Sequence, residues 1–66
     1  MSRARMLREK RGLSIVAMSH EIRANPSVLS MMERRRLAPS IGVRKAVSEF
    51  LSVDEGKLFD KDGLAI

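Results

Sequence analysis

The stretch Asn25–Arg36, NPSVLSMMERRR, gathers most of the residue types in this chain that can do chemistry. Three successive arginines present planar guanidinium forks, which match the oxygen geometry of phosphates and carboxylates. Asn25 is a good helix cap, and Pro26 suits the first helical position after it. Other chemistries lack their parts. There is no nucleophile–base pair, phosphate-cradling loop or carboxylate dyad, so no enzyme is expected. With no cysteine and the single His20, neither a disulfide nor a metal site is expected. No cofactor and no small-molecule ligand are expected.

Charge is uneven along the 66 residues. Residues 1–45 carry 11 basic and 3 acidic side chains, or +8, and residues 46–66 carry 2 and 5, or −3; together they give the net +5. A basic front and an acidic end suit a molecule that turns one face to a polyanion. The hydrophobic fraction of 44% is too high for a disordered chain of this charge. No apolar run is long enough to span a membrane and no signal peptide begins the sequence, so a cytoplasmic, nucleoid-associated location is expected.

These residues need a frame, and the sequence predicts five short helices and no strand, in one domain over residues 1–66. The bundle is expected over about 3–59, with 60–66 as a frayed tail or a dimer strand. A first helix over about 2–11 turns Ala4 and Leu7 inward, leaves Arg3, Arg5, Lys10 and Arg11 solvated, and stops at Gly12. Ser14 caps a second helix over about 15–23, where Ile15, Met18, Ser19 and Ile22 make one buried stripe. A third helix runs from about 26 to 34 with Leu29 and Met32 inward. Pro39 breaks the chain and Ser40 caps the fourth helix, whose stripe is Val43, Ala46, Val47, Phe50 and Leu51. Asp54 is placed to cap a final turn carrying Leu58 and Phe59. The methionines other than Met31 are expected to fill gaps in the core.

Two short helices about three residues apart, the second capped and followed by arginines, make a helix-turn-helix pattern. LREKRGLS (7–14), ERR (33–35), PSI (39–41) and FLSVDEGKLF (50–59) flank it in order. On these motifs the chain resembles the phage-repressor and Cro type of helix-turn-helix domain, the xenobiotic-response-element family, over roughly Ala4–Phe59. The resemblance implies a lambda-repressor-like all-α bundle of five helices. It also implies a homodimer on double-stranded operator DNA, with the third helix in the major groove. A role as a repressor or other transcription regulator, of the kind found on phages and mobile elements, goes with it.

The resemblance assigns roles by position. Arg8 and Glu33 match a pair that braces the recognition helix. Ser14 matches the phosphate-holding cap of the second helix. Asn25, Pro26, Ser27 and Met31 match groove-facing positions, and Val28, Ser30 and Arg34 complete that face. Arg34, Arg35 and Arg36 match the phosphate-touching loop, with Arg23 a further candidate and Arg3 and Arg5 expected on a flexible arm. Dimer contacts are expected from Phe50, Leu51, Val53, Leu58, Phe59, Leu64 and Ile66.

Several positions depart from the family pattern. Ile15 replaces a glutamine, Arg23, Arg35 and Ser52 stand where glycine is usual, and the leucine pattern of the fourth helix falls on Arg44 and Lys45. The reading face lacks the bidentate amides that pair with adenine. Modest direct readout is expected, with thymine-methyl contacts and DNA shape supplying the rest. The alternative is a protein-binding module on the same fold, an antiactivator or antitoxin-like partner, using the apolar face of Val16, Val28 and Met31.

Overall fold

The computed structural model describes all 66 residues. It is all-helical: α1 (Arg3–Lys10), α2 (Ile15–Ile22), α3 (Pro26–Glu33), α4 (Ile41–Leu51) and α5 (Glu55–Leu58). The only β-type pairing is an isolated antiparallel bridge between Phe59 and Ala65. No helix is long and apolar enough to cross a membrane.

Short polar side chains start the first four helices. Ser2, Ser14, Asn25 and Ser40 each accept a hydrogen bond from a backbone N–H in the first turn, satisfying donors that have no intrahelical partner. Asp54 occupies the corresponding place before α5 but makes no side-chain cap bond. There the backbone carbonyl alone accepts, from the Lys57 N–H.

The same four helices end alike. After α1, α2, α3 and α4 the chain turns left-handed at Gly12, Arg23, Arg35 and Ser52, with φ of 71°, 55°, 59° and 57°. At each end the next two N–H groups fold back onto carbonyls of the last turn: Arg23 to His20 and Ala24 to Ser19, Arg35 to Met32 and Arg36 to Met31. This paired closure is the Schellman arrangement, and glycine fits its left-handed residue best. Glycine is present only at the first of the four.

Each helix contributes to one core: Ala4 from α1, Met18 from α2, Leu29 and Met32 from α3, Val47 and Leu51 from α4, and Leu58 from α5. Ser19 is buried in mid-stripe on α2, and its hydroxyl donates to the Val16 carbonyl. α2 packs on both α3 and α4, α1 on α4, and α4 on α5. Two expectations about methionine differ: Met18 and Met32 are fully buried, but Met1 and Met6 are exposed.

The C-terminal residues are neither frayed nor an unpaired strand. Ala65 is fully buried, the Ile66 N–H donates to the Leu58 carbonyl, and the Ile66 carbonyl accepts from the Arg3 N–H at 2.6 Å. Asp60 organises the turn by accepting from the N–H groups of Asp62 and Leu64. Residues 60–66 therefore complete the bundle instead of following it.

Candidate nucleic-acid interface

The site is built on α2, the three-residue turn Arg23–Asn25, and α3. α3 is seated by Leu29 and Met32, both fully buried, and by Glu33, 6% exposed. A helical period of 3.6 residues then puts Ser27, Met31 and Arg34 on the opposite side as one outward stripe. All three are exposed, while Val28 and Ser30 flank the stripe half-buried. Ser14 is exposed at the start of α2, where its hydroxyl accepts from the Ala17 N–H.

The far end of α3 is held by an ion pair. Arg8 donates through Nε to Glu33 Oε2 at 2.8 Å and through Nη2 to Glu33 Oε1 at 3.1 Å, and its Nη1 donates to the Leu13 carbonyl at 2.6 Å. Both side chains are nearly buried, at 9% and 4% exposure. The hydrogen bond to Glu33 raises the Arg8 pKa above its ordinary value, against the opposing effect of desolvation. The guanidinium therefore stays charged until pH rises through that raised value, and its share of the stabilisation is lost only there. The pair ties α1 to the C-terminal end of α3.

The structure sorts the nine arginines into two groups. Six are engaged with their own chain. Arg8 is paired as above, and Arg5 bonds Glu9 on the same helix. Arg3 donates to the Lys57 carbonyl, Arg11 to the Phe50 carbonyl and Arg44 to the Pro39 carbonyl. Arg11 also lies over the Phe50 ring, 5.3 Å from its centroid. Arg34 donates through Nε to the Ser30 carbonyl of its own helix at 3.4 Å. The remaining three, Arg23, Arg35 and Arg36, are exposed and make no side-chain hydrogen bond or ion pair within the chain. With Arg34, these three lie at the two ends of α3.

Three site expectations are corrected. Arg3 and Arg5 are not on an arm: Ser2 is buried as the α1 cap, so both belong to the first turn of a helix. Arg3 faces α5 and the C-terminal residues. Arg5 still lines a groove of about 230 Å3 with Arg8, Ile15, Ser30, Glu33 and Arg34, so only Arg5 stays beside α3. Asn25 is engaged in capping, since its Oδ1 accepts from the Ser27 N–H at 2.7 Å. A bidentate contact to adenine would need that oxygen. Finally, Leu51, Leu58 and Phe59 belong to the protomer's own core, at 3%, 0% and 4% exposure. The surface left for a second copy at that end is the half-buried set Phe50, Val53, Leu64 and Ile66.

One surface feature has no counterpart in the sequence expectations. Ile41 opens α4 at 71% exposure, just beyond the arginine loop. Its break from the inward stripe of Val43 and Val47 was the available signal. His20 lies exposed on α2, and no group of His, Asp or Glu is placed to hold a metal ion. Comparison with known protein families, curated proteins and solved structures finds no match.

Proposed function

We propose that the protein is a small transcription regulator that binds double-stranded DNA as a homodimer and lays α3 in the major groove. The observation that carries this reading is the sorting of the arginines. The arginines whose side chains make no bond within the chain, Arg23, Arg35 and Arg36, lie with Arg34 at the two ends of one capped, outward-facing helix. Phosphate oxygens are the polyanion that such a cluster fits best. An α-helix of this diameter fits the major groove.

The reading stripe then sets the kind of specificity. Arg34 is the single long bidentate donor on it, suited to guanine. Met31, 39% exposed at the centre of the stripe, is suited to the thymine methyl group. Ser27 discriminates little. Two such helices in a dimer would read half-sites about 34 Å apart, one turn of DNA.

The test is selection from random duplexes followed by binding at two salt concentrations. A palindrome with thymine at the positions facing Met31, bound with a steep salt dependence, is the expected result. Sequence-blind binding that salt erases would overturn the regulator reading. It would favour the protein-binding alternative, which the exposure of Val16 (55%) and Met31 supports.

A further inference from the structure

We infer that the groove between α1, the start of α2 and the end of α3 is a binding site for a small phosphate monoester. It encloses about 230 Å3 and is lined by Arg5, Arg8, Ile15, Ser30, Glu33 and Arg34. Arg8 and Glu33 are nearly buried and matched to each other, since both Glu33 oxygens accept from Arg8. Beside that pair stand two guanidinium groups with donors to spare. Arg5 uses its Nε on Glu9, and Arg34 uses its Nε on the Ser30 carbonyl. The Nη groups of both make no bond within the chain. The Ser30 hydroxyl has no partner either, and it is not sealed from solvent. Three guanidinium groups against one carboxylate give the lining two excess positive charges, which Glu9 beside Arg5 lowers to one.

These donors select the ligand. One guanidinium fork already fits a planar carboxylate, whereas the three terminal oxygens of a monoester can accept from forks on two walls and from a hydroxyl. The volume lies below the roughly 300–1,000 Å3 of sites for larger organic ligands, so the groove suits a terminal phosphate with little attached to it. No small ligand was expected from the sequence, because the donors of α1 and α3 meet only in the folded chain. Arg34 also belongs to the outward stripe of α3, so an ester held in the groove withdraws it from DNA. That consequence rests on the DNA reading; the site itself does not.

The test titrates glycerol 2-phosphate into the full chain at constant ionic strength and follows the arginine Nε–H signals by NMR. Saturation with a Kd of about 1 mM or tighter is expected near neutral pH. Binding should weaken as pH falls through about 6, where the ester loses its second charge. Arg5→Gln and Arg34→Gln should each weaken it at least about tenfold. Arg36→Gln removes the same charge outside the groove and should leave it unchanged. Glu9→Gln frees Arg5 and should tighten binding by up to about fivefold. Absence of saturation, or equal weakening by Arg36→Gln, would overturn the inference. Dimethyl phosphate carries the single charge of a DNA backbone phosphate; if it bound as tightly, the groove would be a seat for that backbone and the assignment to a free monoester would fall. In a parallel assay at the same ionic strength, the ester should weaken duplex binding by the wild type but not by Arg34→Gln. A protein that binds the ester and no duplex would overturn the DNA reading and leave the site standing.

Discussion

At the scale of single residues, burial decides which charges matter to the fold. The Arg8–Glu33 pair is bidentate and nearly excluded from water, unlike the half-exposed Arg5–Glu9 pair on one helix face. Removing one partner of a buried pair leaves an uncompensated charge, at a cost of about 3–5 kcal/mol, whereas an exposed pair contributes less than about 1 kcal/mol. Glu33→Gln is therefore expected to lower Tm by at least about 10 °C, and Glu9→Gln to shift it by little. Equal shifts in thermal unfolding would contradict this ranking. The pairing of Arg8 with Glu33 was expected only through the resemblance that the flanking motifs carry. The attachments of Arg3, Arg11 and Arg44 were not, because each donates to a backbone carbonyl. Every residue offers such an acceptor, so no sequence pattern marks which one a guanidinium will find.

At the scale of elements, starts were easier to read than ends. Ser14, Asn25 and Ser40 cap where the sequence places them, because a cap is a local bond between a side chain and the next turn. Three left-handed closures lack the glycine that announces such an end, yet the φ angles and paired main-chain hydrogen bonds show that the backbone keeps the same turn at Arg23, Arg35 and Ser52. Gly12 isolates the energetics of that turn. A Cβ there would meet no atom within 4 Å, so Gly12→Ala tests the left-handed backbone without a steric clash. It is expected to cost about 1 kcal/mol and lower Tm by about 4–8 °C. Gly63→Ala should cost more. Its Cβ would fall 2.6 Å from Arg44 Nη1, adding displacement of that side chain to the same φ penalty. Denaturant midpoints at a shared m-value would rank the two. Arg44 has its own structural role in that contact: the guanidinium reaches the Pro39 carbonyl and packs against Gly63.

At the scale of the whole molecule, a 66-residue bundle has little surplus stability, and its closure depends on contacts far apart in sequence. The last residues supply one. Ala65 enters the core beside Phe59, and the Ile66 carbonyl joins the start of α1, 63 residues earlier, through the Arg3 N–H. Neither the DKDG turn nor the apolar ending pointed inward by sequence alone, since the same pattern suits a strand offered to a second copy. The two possibilities respond differently to dilution. If residues 60–66 close their own bundle, their removal uncovers Leu58 and Phe59 and breaks the link to α1. A chain ending at Phe59 should then melt at least about 10 °C lower, since losing even one buried aliphatic contact costs about 2 kcal/mol or more. That loss should be the same at every protein concentration. A tail that acted only between copies would give a deficit that grows with concentration and disappears on dilution, because linkage to an oligomer follows mass action. Thermal melts of both chains over a wide concentration range separate these outcomes. They also fix whether dimer formation must rely on Phe50, Val53, Leu64 and Ile66, the half-buried residues that the core leaves at that end.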